Sequence, residues 1–386
     1  MKSMVSLRSF LLLLTLGLFL AAPSGPVWAK HHRPAPTPEI TATETPTASP
    51  TDIPDIVKPL YTFDAMWGAP GAGPDQLNAP EGVAVGPDGN IYIADTGNNR
   101  IVVWDSSGRP VTSYGSFGTS ATWRNPPQFD HPTAVMVLPP RKIVVSDTHN
   151  NRIVVLDENG LVLTSWGSQG TTTGLFNLPR SLAKDHFGQI WVLDSGNNRI
   201  EGFSPLGVFV SAWGTFGTGT GTNNPGVMNF PLSMDMNIID QTILADTGNF
   251  RFQVFNNAGA PVTADGWYGS GPYQFKEPGG IAVTPAGLIA VTDGVTGRVE
   301  FFNARFEYIG RWRAKDEIVN PDYKPHFRGI AADSNNQLYV TDMQNGVILR
   351  LRPAQPANPG PLQAPPTATP TPPDTSPYGG AGYPIR

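Results

Sequence analysis

The chain has 386 residues, a formal net charge of −5 and no cysteine. Without cysteine there can be no disulfide, no thiolate metal centre and no lipid attached through a thiol. The acidic balance, with no block of Lys and Arg, argues against a nucleic-acid partner and an anionic membrane surface.

The N-terminus, residues 1–29, reads as a secretory signal. Lys2 and Arg8 precede an apolar run over 10–22, and Val27-Trp28-Ala29 offers a cleavage point. The run is short for a span of about 20 residues, so the mature chain is expected to lack a membrane span; an uncleaved anchor is the alternative. Export without disulfides points to a bacterial secreted or cell-envelope protein. Residues 30–58 and 353–386 are rich in Pro, Thr, Ala and Ser. Such tracts bury too little apolar surface to fold and read as disordered spacers.

Between them lies a repeat. Asp95-Thr-Gly-Asn-Asn-Arg100 returns at Asp147–Arg152, Asp194–Arg199 and, as a variant, Asp246–Arg251, with weaker copies from Asp293 (to Arg298) and Asp342. Successive aspartates stand 47 to 52 residues apart, a period that marks an array of identical supersecondary units. Residues 80–116 show what one unit holds. Short strands at 82–85, 91–94, 101–104 and 111–114 are separated by turns at Gly86-Pro-Asp-Gly89, 96–99 and Ser106-Ser-Gly108. The second and third strands are apolar on both faces, as strands sandwiched between neighbouring sheets must be. Six such units predict an all-β, six-bladed propeller of four-stranded antiparallel blades over 59–352. The last unit runs out of chain after three strands. Residues 60–67, ending in Trp67-Gly like the fourth strands elsewhere, are expected to complete it.

The elements Pro-x-Gly-Val-Ala-Val, Pro-Asp-Gly-x-Ile-Tyr-x-Ala-Asp and Asn-x-Arg-Ile, recurring in register, resemble the NHL-repeat family across 59–352. The resemblance implies a six-bladed propeller that usually serves as a platform for protein, glycan or nucleic-acid ligands. Some relatives are enzymes: amidating lyases with three zinc-binding histidines, and gluconolactonase-like propellers with calcium in the channel.

A function needed once would not be written six times, so the repeated Asp and Arg read as architecture. Asp accepts N–H groups of the turn, and Arg re-enters the sheet where it can pair with Asp. Thr296 and Val347 break the pattern, and the sixth blade is expected to be tied less firmly. The rings at Trp67, Tyr114, Trp166, Trp213 and Tyr268 read as packing between blades.

Outside His31 and His32 the histidines are His131, His149, His186 and His326. They fall in blades 2, 3 and 6 without a shared register, so no metal and no cofactor is expected. A Gly-x-Ser-x-Gly elbow is absent, and Ser181–Lys184 falls in a strand, so no catalytic residue is assigned. At the channel mouth the positions after each entry proline include Glu81 and Arg180, with Arg328 at the equivalent point of the last blade, a mixed set suited to ion pairs or a small anion. The long connections between blades carry Phe117, Trp123, Arg124, Phe129, Phe216, Tyr273, Tyr323 and His326 among Gly, Thr and Asn. Aromatic rings beside adaptable polar groups resemble a recognition surface. The expectation is an exported, monomeric, non-catalytic module binding a protein, peptide or cell-envelope glycan. A lyase or lactone hydrolase with a channel metal is the competing reading.

Overall fold

The computed structural model describes residues 60–120 and 126–354. Residues 1–29, expected to be a signal, and nearly all of the two expected spacers lie outside the described residues, as do Trp123 and Arg124 of the expected face. No helix among the described residues is long and apolar enough to cross a membrane.

Blade 1 consists of Val83–Val85, Ile91–Asp95, Arg100–Trp104 and Pro110–Tyr114, paired antiparallel in that order. Four more blades repeat it, starting at Pro132, Pro179, Ser233 and Pro278. The sixth takes Phe327–Ala332, Leu338–Asp342 and Val347–Pro353 from the C-terminal side and Tyr61–Trp67 from the N-terminal side. Tyr61 pairs with Pro353 and Trp67 with Ile348. The innermost strands touch in ring order, and Phe327–Ala332 meets Val83–Val85 to close the circle. The six blades and the expected closure are both present.

The second strand of blade 1 shows how the sequence builds the ring. Side chains alternate across a strand. Ile91 and Ile93 therefore pack with Tyr339 and Ile348 of blade 6, while Tyr92 and Ala94 pack with Val135 and Val145 of blade 2. A strand with both faces buried needs apolar residues at every position, and Ile91–Asp95 is buried throughout. Each of the six gaps between blades holds one such cluster.

The fourth-strand rings fill the rim of those gaps. Trp67, Tyr114, Trp166 and Trp213 lie over Gly108, Gly160, Gly207 and Gly259 of the following blade, where an added Cβ would stand 2.2 to 2.8 Å from the ring. These glycines also have positive φ, near +80°, so both the ring and the turn demand glycine. Tyr268 does not belong to this set. The fourth strand of blade 4 ends at Asp265, which pairs with Phe252 as Trp213 pairs with Ile200. The missing member is Trp312, paired with Val299 in blade 5. Where Asp265 replaces the ring, Phe306 replaces the glycine at the facing turn position of blade 5, with φ +67°, and packs onto the cluster between those blades. Ring and glycine have changed sides.

Candidate functional site

The repeated aspartate gathers the loop face. In blade 1, Asp95 Oδ1 accepts the backbone N–H of Asn78, 2.7 Å away, and Oδ2 accepts Asn98 Nδ2 at 2.8 Å and Arg100 Nε at 2.7 Å. The Arg100 fork then donates to the carbonyls of Ala72, Gly73 and Gln76 in the incoming connection. Asp147–Arg152, Asp194–Arg199 and Asp246–Arg251 do the same. Burial pushes all four carboxyls above their ordinary value, opposed by these hydrogen bonds. The motif therefore pins loops to blades. In blade 5 Arg298 holds Asp293 at 3.2 Å and donates to Ser270 O without help from an asparagine. In blade 6 Asp342 binds Asn345 and backbone N–H groups, and Val347 is buried in the core.

The connections themselves follow one pattern. In three of them, two residues just after the fourth strand pair parallel with two residues just before the next blade. The pairs are Ser116–Phe117 with Gln128–Phe129, Thr215–Phe216 with Val227–Met228, and Trp267–Tyr268 with Gln274–Phe275. The outer member points to solvent: Phe117 and Phe216 are each 66% exposed and Tyr268 63%. The inner members Phe129, Met228 and Phe275 are fully buried. Phe129, expected on the surface, is thus a core residue, because its side of the pair faces the blades. Two of the remaining three connections carry Pro70 and Gln169 at the outer position, each held by a single bridge, and the third, between blades 5 and 6, holds the short helix Ala314–Glu317 instead. A ring there is not required by the fold.

Two further face candidates are committed inward. Tyr273 packs against Phe302 and Tyr308, and its hydroxyl accepts the Tyr308 N–H at 2.8 Å. Tyr323 packs on the cluster between blades 5 and 6, where burial and the charge of Asp342 raise its pKa. Neither is a free surface ring.

His326 turns to the channel mouth. Its Nε2 stands 3.2 Å from Glu277, which also takes Arg328 Nη1 at 2.6 Å. Arg180 reaches Glu81 at 3.1 Å, and Arg328 Nε lies 4.0 Å from the same carboxylate. Glu81, Arg180 and Arg328 converge as the sequence indicated, but Glu277 was missed because it precedes its entry proline. Burial alone would raise Glu277; the His326 hydrogen bond and the Arg328 charge outweigh it and hold the carboxyl at about 2. Below this collar the channel encloses about 280 Å³, lined by Asp235, Lys184 and the innermost strands. Asp235 is pushed up to about 6 by burial.

His131 and His149, judged unrelated in register, come together. Their rings stack 4.3 Å apart, and Asp130 Oδ1 lies 2.6 Å from His131 Nδ1 and 3.5 Å from His149 Nδ1. Burial, then the His131 charge, lowers the pKa of His149. His186 is elsewhere, paired with Asp240 of blade 4.

The NHL-repeat profile matches residues 77–104, which run from the first entry loop through the third strand of blade 1. The chain thus carries an NHL repeat in the first blade of a six-bladed propeller. It is 31% identical over 110 residues to the human NHL repeat-containing protein 3, an alignment covering 27% of this chain. The same stretch matches the mouse counterpart at 31%. The chain spans about a third of the length of these curated relatives, 32%. Among solved structures it is similar to a gluconolactonase from Xanthomonas campestris, with 15% identity, a TM-score of 0.53 and coverage of 72% of this chain and 88% of that one. It is also similar to virginiamycin B lyase from Staphylococcus aureus, with 13% identity, a TM-score of 0.50 and coverage of 71% and 95%. At such identities the two likenesses concern the fold alone.

Proposed function

We propose that this NHL-repeat propeller is a non-catalytic binding module, acting outside the cytoplasm, that recognises a protein, peptide or glycan through its loop face. The observation that carries the reading is the repetition of Phe117, Phe216 and Tyr268. Each ring sits at the same backbone position, exposed, and held by a short parallel pair whose inner residue is buried. Rings anchored in this way lose little entropy on binding and offer large apolar contact. Since Pro70 and Gln169 complete the same structure without a ring, the parallel pair itself does not require the aromatics, although Tyr268 also meets the Phe250 ring edge-on at 5.0 Å.

The channel favours this reading over a metal-dependent enzyme. Arg180 and Arg328 stand in its mouth, and their charges oppose a cation there. The Glu81 and Glu277 carboxylates are already taken by these arginines and by His326.

The deciding experiment compares the wild type with the Phe117→Ala, Phe216→Ala, Tyr268→Ala triple variant on a glycan array and in capture from envelope extract. Loss of wild-type binding by at least about tenfold, as for removal of buried aromatic anchors, is the expected result. Equal capture by the two proteins would sink the assigned face.

A further inference from the structure

Repeats allow each blade to serve as the reference for the others, and blade 2 departs from its neighbours at three positions that meet in space. The first is Asp130, whose N–H donates to Asp147. The equivalent donors in blades 1, 3 and 4 are Asn78, Asn177 and Asn229. The second is His131, at φ +49°, where those blades have Ala79, Leu178 and Phe230, also with positive φ. The third is His149, where they have Gly97, Gly196 and Gly248. At each of these glycines a Cβ would come within 2.5 to 2.6 Å of the neighbouring asparagine. A Cβ at position 149 therefore presses on both the carbonyl and the side chain of the residue at 130, and in blade 2 that side chain, Asp130, lies between the two imidazoles.

We propose that Asp130, His131 and His149 form a binding site for one zinc-class divalent metal ion on the loop face, beside the channel mouth. One ligand atom from each side chain lies within 4.8 Å of the other two. Tetrahedral ligands about 2.0–2.1 Å from zinc stand roughly 3.3 Å apart. The 3.5 Å between Asp130 and His149 is already at that spacing. The 2.6 Å between Asp130 and His131 needs to open by less than about 1 Å to reach it.

The scaffold holds the three groups in place. The Asp130 N–H is bound to the buried Asp147, the His131 N–H to Asn99 Oδ1 at 2.8 Å, and the His149 N–H to the Asp130 carbonyl at 3.1 Å. Thr133, two residues on from His131, lines the channel and meets Thr148 at 2.7 Å, which places the site at the rim. Two imidazoles and one carboxylate select zinc, cobalt, nickel or copper over calcium or magnesium. Three protein ligands leave the remaining coordination open towards solvent, where the rings stay partly exposed. The proposal is independent of the binding role assigned to Phe117, Phe216 and Tyr268.

The test uses the full chain stripped with a chelator, then dialysed against Zn(II), with Co(II) absorption as a spectroscopic stand-in. His149→Gly restores the residue that blades 1, 3 and 4 carry and is expected to fold unchanged. His131→Asn, which tolerates positive φ, is the second variant. Any ion taken by His31 and His32 is common to all three proteins and cancels in the comparison. The wild type should bind one equivalent more than either variant and show a Co(II) band that both lack. Asp130→Asn should weaken that equivalent on the order of 10- to 100-fold. Equal ion counts and equal spectra in the wild type and both folded variants would overturn the site.

Discussion

Blade 4 and blade 6 solve the same two problems by opposite means. In blade 4 the connection before the sheet is Thr215–Phe230, mostly Gly, Thr and Asn, with little to bury. Arg251, fully buried, holds it by donating to the carbonyls of Gly221, Asn223, Asn224 and Val227. In blade 6 the arginine is replaced by Val347, and the connection supports itself. It contains a short helix, Ala314–Glu317, and sets Ile318 and Tyr323 onto the core. At the rim the roles reverse. Blade 6 ends its fourth strand in Trp67, stacked 6.3 Å from Tyr339 with Arg350 4.9 Å above it, whereas blade 4 ends in Asp265. A polar loop needs a charged clasp, and an apolar loop can be held by burial; the expectation that blade 6 is tied less firmly overlooked the second route.

Four experiments can break that comparison. The largest effect is expected from Arg251→Ala, which strands the buried Asp246 without its partner and should cost about 3–5 kcal/mol. Hydrogen exchange should show the 217–228 segment opening. Val347→Ala should cost only about 1–2 kcal/mol and leave the blade 6 connection protected; comparable opening there would refute the contrast.

Tyr323→Ala comes next. If burial replaces the clasp, this change should cost about 3 kcal/mol and expose residues 314–326 to exchange, as Arg251→Ala does for its own loop. Intact protection there would mean that the helix alone carries the segment.

Asp265 supplies a pH test. Burial raises its carboxyl from 3.8 to about 6, so the folded state holds this proton more tightly than the unfolded state. Its contribution to stability is therefore fully present below pH 4, falls as the pH rises through 6 and is lost above that. Asp265→Asn should flatten the wild-type decline between pH 4 and 6 and raise stability at pH 7 by at most about 3 kcal/mol. Parallel stability curves for the two proteins would remove Asp265 as the cause.

The smallest effect concerns the ring-on-glycine contact. Gly108→Ala places a Cβ 2.2 Å from the Trp67 ring at φ +80° and should destabilise by about 1–3 kcal/mol. Phe306→Ala in blade 5, where the ring has changed sides, should instead cost apolar burial. Chemical denaturation of both variants distinguishes overpacking from a cavity.

The sites were legible only in part, and particular residues show why. Glu81, Arg180 and Arg328 could be placed at the channel mouth because they share one register position in the repeat. Phe129 was misplaced because a loop residue next to an exposed ring gives no sign of which strand of a parallel pair it occupies. Tyr268-Gly269 imitates the fourth-strand ending, yet the strand had already finished at Asp265, and the true counterpart, Trp312, lacks the following glycine.

The sequence by itself determined the number of blades, the role of the Asp and Arg pairs and the closure by Tyr61–Trp67. All three rest on local hydrogen bonding and alternating burial, written repeatedly at a fixed spacing. Only the tertiary structure decided that Phe117, Phe216 and Tyr268 stand exposed, that Glu277 joins the collar and that Asp130, His131 and His149 converge. Those outcomes depend on which way single side chains turn when a turn of one strand pair meets the connection from the blade before it. A period in sequence records what the blades share; a site built from their differences exists only once the ring has closed.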